Sequence, residues 1–294
     1  MNKKILLFTE FSKKKGLGHF YRSKILYEYL KKKKLDISFF INKNNKILLN
    51  KIKKCKDNII IIDYKFYSKK LLKFNKKNKI IIFDTNIKNK NLISLNPLKI
   101  DKNKYSGPKW FAFDKTFFKI KKNFNKKKLN LFICQGGTDA NSSLKKIIQS
   151  LASINPNLIS KCIIKVPKKN FLNQNNFDFN IVQKKNLGNL SKFFSKIDIA
   201  ICGCGNFSYE LGFFGIPSVF SSYEKREVEL GKKFEKKGLG RFYLPNEYLK
   251  ISEEINKLLI NKSYFKKIYK KKRIFFYKDG LSNIYRLLKK NNEF

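Results

Sequence analysis

The sequence predicts an α/β protein made of two doubly wound, Rossmann-like domains with parallel sheets. Short apolar runs alternate with Lys-rich amphipathic stretches from end to end, the pattern of strands covered on both faces by helices. Gly-rich turns follow several of those runs and open the next helix, as in folds that bind ligands at the C-terminal ends of their strands. The 294 residues exceed the roughly 100–200 of a usual single domain, and 42% hydrophobic content is enough to fill packed cores and excludes a disordered chain.

In the first half, residues 5–8, 37–41, 58–62 and 79–83 read as buried strands, and 18–35 has the length and apolar spacing of a helix. A second series follows at 129–134, 161–166, 180–182, 197–202 and 218–221, with helical stretches such as 142–153 and 207–213 between its members. Residues 108–125, aromatic and then rich in Lys and Asn, join the two series. This places an N-terminal domain at 1–125 and a C-terminal domain at 126–294, the latter ending in two or three helices without a strand. No repeat of 20–50 residues is evident.

The formal net charge of +46 invites a nucleic-acid reading, because basic side chains neutralise phosphates and release counterions. Two observations argue against such a partner. Arg occurs only at positions 22, 226, 241, 273 and 286, whereas specific phosphate and base recognition favours the bidentate guanidinium. The Lys excess is also spread evenly along a chain rich in Asn, Ile and Phe, as solvated surface lysines would be. A basic surface would still attract anionic substrates and, weakly, anionic membrane faces. The five cysteines are odd in number and share no disulfide spacing, so reduced thiols in the cytoplasm are expected. The apolar run at residues 5–9 is too short for an export signal, and nothing approaches the ~20 apolar residues of a membrane span. A monomer is expected.

Three turns carry candidate chemistry. Gly16-Leu17-Gly18-His19-Phe20-Tyr21-Arg22 follows the first strand and opens a helix. Its glycines allow close backbone approach to a ligand, and a helix N-terminus offers free N–H groups. His19 is the sole histidine. The helix dipole disfavours its imidazolium, which suits a general base; a structural histidine satisfied by local hydrogen bonds is the alternative. Arg22, one turn on, is either an anion contact or a surface ion pair. The second turn, Gln135-Gly136-Gly137-Thr138-Asp139-Ala140-Asn141, offers backbone and hydroxyl donors and a helix cap. In the third, Cys202-Gly203-Cys204-Gly205-Asn206-Phe207 leads into a helix whose first turn carries Glu210. Such a loop can seat a diphosphate while the carboxylate takes ribose hydroxyls. Cys202 and Cys204 have no second Cys pair or His near them in sequence, so small loop residues are the better reading than metal ligands. Asp63, followed by Tyr64, and Asp84 end strands of the first domain, where they either cap loops or face the same cleft as His19.

Together these segments resemble the UDP-sugar hydrolases of the pseudaminic acid pathway and related spore-coat-polysaccharide proteins. That group is similar in turn to glycosyltransferases that add N-acetylglucosamine to lipid-linked peptidoglycan precursors. The resemblance runs through Gly16-x-Gly18-His19-x-x-Arg22, Asp63-Tyr64, Asp84, Gly107-Pro108-Lys109-Trp110, Gly136-Gly137-Thr138-Asp139-x-Asn141 and Asp198-x-Ala200. It continues through Gly205, Glu210 and Gly215-Ile216-Pro217, and so spans roughly residues 5–240. It implies a GT-B-like architecture of two Rossmann-like domains facing a central cleft. It also implies UDP held by the C-terminal domain, and an inverting hydrolysis, needing no metal or other cofactor, that frees a 2,4-diacetamido-2,4,6-trideoxyhexose. His19 would be the base, Gly136, Gly137 and the Gly205–Phe207 loop would hold the diphosphate, with Thr138, Asp139 and Asn206 beside it, and Glu210 would hold the ribose. Gly16, Gly18, Arg22, Asp63, Tyr64 and Asp84 would line the sugar side. The alternative of the same architecture is a glycosyltransferase with a glycan or lipid-linked acceptor in place of water. The chain departs from the family at Phe207, which cannot donate a side-chain hydrogen bond to phosphate. It departs again at Arg226-Glu227, where the family has an Asn-Gln pair that often faces the sugar, and at Phe113-Asp114, where the family has Leu-Arg.

Overall fold

A computed structural model of the chain describes residues 3–11, 18–41, 50, 52–64, 78–85, 92–119, 126–136, 139, 142–168, 171 and 177–292. They form two compact units, Met1–Phe113 with Lys278–Phe294, and Asp114–Tyr277.

The first unit holds β1 (Ile5–Thr9), α1 (Gly18–Lys32), β2 (Ile37–Ile41), β3 (Ile59–Asp63), β4 (Lys79–Phe83), β5 (Leu92–Leu95) and the last helix of the chain, α8 (Gly280–Asn292). The strands are parallel in the order β2-β1-β3-β4-β5. Strand alternation divides the apolar residues between two faces. Ile5, Leu7, Ile59, Ile61, Ile81 and Phe83 join Leu26 and Leu30 of α1 and Leu281, Ile284 and Leu288 of α8 in one cluster. Leu6, Phe8, Ile60, Ile62, Ile80 and Ile82 form the other, with Ile52 and Tyr64. Being covered on both sides explains why Ile59–Ile62 reads as an unbroken apolar run. Each such side chain contributes about 1.5–3 kcal/mol on burial.

The second unit contains β6 (Leu129–Cys134), α2 (Ser143–Ile148), β7 (Ile159–Lys165), β8 (Ile181–Lys184), α3 (Leu190–Phe194), β9 (Ile199–Cys202) and α4 (Asn206–Phe213). It continues with β10 (Ser218–Ser221), α5 (Lys225–Lys236), β11 (Arg241–Tyr243), α6 (Tyr248–Ile260) and α7 (Lys262–Phe276). Its parallel sheet runs β11-β10-β9-β6-β7-β8. Both sheets reverse strand order beside their first strand, between β1 and β3 and between β6 and β9, where such folds bind ligands. α4 ends in a Schellman motif. Gly215 has φ +72°, and the Ile216 N–H donates to the Leu211 carbonyl at 2.9 Å, after which Pro217 stops the helix. Side chains of α7 hold that end of α4. Arg273 donates to the Phe213 carbonyl at 2.6 Å, and the buried Lys272 donates to the Ile216 carbonyl at 2.7 Å. Burial lowers the Lys272 ammonium to about 7.

The unit boundary falls at 113/114 rather than at 125/126, and α8 returns to the first unit instead of closing the second. The Gly107-Pro108-Lys109-Trp110 segment is its dock. The Asn283 amide donates to the Lys109 carbonyl at 2.8 Å, and Trp110, tied through Nε1 to the Lys104 carbonyl at 3.0 Å, lies in the cluster that α8 completes. A Cβ on Gly280 would come 2.0 Å from the Phe111 carbonyl oxygen, a backbone atom that cannot step aside. Gly280→Ala therefore forces α8 off its seat. Urea unfolding followed by circular dichroism should show a loss of about 1–3 kcal/mol; an unchanged midpoint would mean that α8 does not dock this way.

Candidate functional site

In the first unit the site begins with the periodicity of α1. Arg22, Leu26, Tyr29 and Leu30 fall on one buried stripe, so the helix that covers the sheet carries a guanidinium into its interior face. A buried charge needs a partner. The partner is Asp63, the last residue of β3, lying opposite Thr9 in the β1–β3 register and almost wholly buried. Its Oδ2 accepts from Arg22 Nε and from the Ser23 hydroxyl, each at 2.9 Å. Its Oδ1 accepts from Arg22 Nη2 and lies 2.7 Å from His19 Nδ1. Arg22 Nη2 also reaches Asp84 Oδ2 at 2.7 Å. The Arg22 guanidinium lies over the Phe83 ring, 4.8 Å from its centroid.

The charges sustain one another. Burial works against the ionised Asp63, but Arg22 and His19 outweigh it and hold the carboxyl well below its usual range. Burial likewise opposes the Arg22 charge, and Asp63 and Asp84 together hold it above its ordinary value. An ionised carboxylate only accepts hydrogen bonds, so the short contact to His19 must be donated by the ring. Asp63 thereby fixes the Nδ1–H tautomer and leaves Nε2 as the proton acceptor. The His19 and Asp84 side chains keep 20% and 19% of their surface exposed, against 2% for Arg22 and 1% for Asp63. The exposed edge of the cluster is therefore His19 with Asp84. Arg22 and Asp63 lie buried behind it, not on the open sugar-side wall that the resemblance implies. Tyr64 is buried in the apolar cluster of the opposite sheet face. Gly18 opens α1, and Gly16 lies outside the described residues.

His19, Asp63 and Asp84 are also the grouping of metal-ligating side chains among the described residues, their ligand atoms lying within 4.8 Å of one another. Arg22 Nη2 bonds both carboxylates and lies 3.4 Å from His19 Nδ1, so the position a cation would take already holds one. The donor set fits a guanidinium, not a metal ion.

In the second unit, Gly136 follows β6 with φ +77°. Asp139 accepts from the Ser143 N–H at 2.9 Å and from the Leu144 N–H at 3.2 Å, so its carboxylate caps α2. Gly137, Thr138 and Asn141 lie outside the described residues. Gly205 caps α4 without a side-chain hydrogen bond, which leaves the N–H groups of Asn206 and Phe207 at an uncapped helix start. The Phe207 ring turns away into an aromatic cluster, 6.3 Å from Phe132 and 6.0 Å from Phe194. Only its backbone remains for a ligand. Glu210 sits in the second turn of α4, not the first, and is half-buried. Burial, helped by the Asp114 charge, pushes its carboxyl up to about 8. Cys134, Cys202 and Cys204 are buried, and burial raises all three thiols, that of Cys202 to about 12, which makes them inert core groups.

Sequence reasoning did not single out Ser23 or assign Glu227 a contact. Ser23 belongs to the Asp63 shell, and its signal was its place beside Arg22 on the buried stripe. Glu227, in the first turn of α5, accepts from the Cys204 N–H at 3.0 Å through Oε2, a pairing across 23 residues that no local pattern announces.

No family model matches the chain. An uncharacterized protein of Methanocaldococcus jannaschii is 26% identical over 74% of this chain, which spans about half (55%) of that protein's length. Among solved structures, the spinosyn rhamnosyltransferase SpnG complexed with thymidine diphosphate is similar at a TM-score of 0.69 and 10% identity, over 97% of this chain and 99% of that one. The calicheamicin glycosyltransferase CalG4 is similar at 0.63 and 10%, over 98% of both chains. MurG of Acinetobacter baumannii follows at 0.59 and 11%, over 98% and 99%. The fold is thus that of the GT-B glycosyltransferases, two Rossmann-like units with parallel sheets. SpnG and CalG4 are named as transferases, and the expected hydrolase finds no support in these names. No helix among the described residues is long and apolar enough to cross a membrane.

If Asp63 neutralises Arg22, removing its charge leaves a buried guanidinium with only Asp84. Asp63→Asn should cost about 3–5 kcal/mol in urea unfolding at neutral pH. The native pKa of Asp63 lies below its unfolded value, so its contribution is full above the ordinary carboxylate range and is lost as pH falls below it. The difference between wild type and variant should accordingly shrink in acid. A variant as stable as wild type at neutral pH would refute the pairing.

Proposed function

We propose that the chain is a glycosyltransferase that moves a sugar from a nucleoside diphosphate, UDP in the first instance, to a hydroxyl group of an acceptor. The observation that carries this reading is the 2.7 Å contact between His19 Nδ1 and the buried Asp63 carboxylate. It leaves Nε2 bare at the end of the sheet where ligands bind in this fold class. A base so held takes the proton from a hydroxyl as the oxygen attacks the anomeric carbon. The bond from that carbon to the diphosphate breaks on the opposite face, the nucleotide leaves with the electron pair, and the configuration inverts.

The second unit supports the nucleotide half of the reading. The N–H groups of Gly136, Gly205, Asn206 and Phe207 are backbone donors suited to a diphosphate leaving group, with Gly137 and Thr138 beside them in sequence. Glu210 is suited to the two ribose hydroxyls. At neutral pH its carboxyl is protonated in the free protein, given its rise to about 8, so ribose binding by the carboxylate would release a proton. In this reading Asp84 faces the sugar or the acceptor, and the reaction runs without a metal ion in the cytoplasm. The likeness to glycosyltransferases supports transfer over hydrolysis, and water in the acceptor's place would give the hydrolase that the motif order suggests.

A panel of UDP-sugars, incubated with and without glycan and lipid-linked acceptors and assayed for UDP release, tests the reading. Wild type should release UDP only when donor and acceptor are both present. His19→Ala should lower that rate by about 100- to 10,000-fold, the usual range for general base catalysis. Release that ignores every acceptor would identify the hydrolase instead, and an unchanged rate in His19→Ala would remove His19 as the base.

A further inference from the structure

The loop that joins β9 to α4 is built as an anion seat, and a side chain of the same unit is already in it. Gly203, Cys204 and Gly205 end the strand beside the switch point, and the helix they open has eight residues and no side-chain cap. Its first turn holds no acidic residue of its own. The Glu227 carboxylate fills the gap from α5. Its Oε2 takes the Cys204 N–H at 3.0 Å. The fit is close on both sides: a Cβ on Gly203 would lie 2.7 Å from Oε2, and one on Gly205 would lie 3.0 Å from Oε1. Gln135, from the end of β6, reaches the same place, its Oε1 3.7 Å from the Gly203 Cβ position. The Gln135 Nε2 donor is buried and has no hydrogen-bond partner among the described residues. Two glycines, a backbone donor and an unused amide donor thus surround one carboxylate.

We propose that Glu227 is a built-in competitor for the phosphate seat of the second unit. This rests on the nucleotide reading above and adds a regulation to it. A carboxylate and a phosphate compete for the same N–H groups, and their like charges exclude joint occupancy. A nucleoside diphosphate therefore binds only when the Glu227 side chain swings out. The backbone of Glu227 has its own anchor for such a swing: its N–H donates to Glu224 Oε2 at 2.9 Å, the N-cap of α5. The carboxylate stays near the start of α5 as it moves, where the helix dipole favours it. Free nucleotide, the product of transfer, is the ligand that such a plug disfavours most, since it brings only negative charge to the displaced carboxylate. A donor sugar brings hydroxyl groups that the carboxylate can accept from. Glu227 would thus weaken product binding more than donor binding.

Isothermal titration of UDP, of a UDP-sugar and of uridine into wild type, Glu227→Gln and Glu227→Ala tests this. Thermal melts confirm folding, and the Gln variant keeps an acceptor for the Cys204 N–H should the Ala variant fold poorly. Removing the plug should tighten UDP binding by about tenfold, as expected when a blocked state held by about nine molecules in ten is lost. The UDP-sugar should gain less, and uridine, lacking phosphate, should gain nothing. Variants that bind UDP no tighter than a UDP-binding wild type would overturn the plug and leave the function standing, as would an equal gain for uridine. Absence of UDP binding in all three proteins would overturn both.

Discussion

A carboxylate taken out of water must either be protonated or be surrounded by donors, and Asp63 is surrounded. Arg22, Ser23 and His19 converge on its two oxygens, and every other feature of the first-unit site depends on that convergence. It lets α1 lay a guanidinium against the sheet, which an apolar interface would not tolerate. It ties the end of β3 to the first turn of α1, across the strand-order reversal where this fold class places its ligands. It also orients the imidazole from behind, so that the ring edge carrying Nε2 is the one left without a carboxylate. Asp84 completes the neutralisation, at a backbone φ of +54°, with its side chain partly exposed.

The second unit solves a different problem. In the proposed reading its switch point receives negative charge that comes and goes, and its donors are backbone groups at an uncapped helix start rather than fixed cations. Buried N–H groups without acceptors carry a cost. Glu227 satisfies the Cys204 N–H, and Asp139 satisfies those of Ser143 and Leu144 at the start of α2. Under the proposal above, Asp139 closes a turn for structure and Glu227 closes one that a phosphate can open. The Glu210 carboxyl, raised to about 8 by burial and the Asp114 charge, gains its charge more readily when a donor meets it.

Much of this was legible in the residues. Short, largely apolar runs marked the strands at Leu129–Cys134 and Ser218–Ser221 to the residue, because Leu131–Cys134 and all of Ser218–Ser221 are buried within their sheet. β5 and β11 escaped notice because they are sheet edges of four and three residues, too short for a period to appear. The return of α8 to the first unit was hidden for another reason: its stripe of Leu281, Ile284 and Leu288 says that a face is buried but not against what. In the site, His19 was visible as a lone histidine after Gly16-x-Gly18, yet its partner lies 44 residues away and is found only when the strands are in register. The same holds for Glu227, whose sequence position marks a departure from the family while its contact with the β9–α4 loop is a matter of packing. At Asp139 the residue types alone leave cap and ligand contact undivided, because a cap and a phosphate ligand call for the same donors and acceptors; its hydrogen bonds to the Ser143 and Leu144 N–H groups show the cap.

The central claim is that Asp63 sets the protonation geometry of His19, and the chain's single histidine makes that directly observable. Selective 15N labelling of histidine yields the spectrum of one imidazole. At a pH where the ring is neutral, the account predicts a protonated Nδ1 and a bare Nε2, with that preference lost in Asp63→Asn. A ring protonated at Nε2, or one that averages between tautomers in wild type, would contradict it.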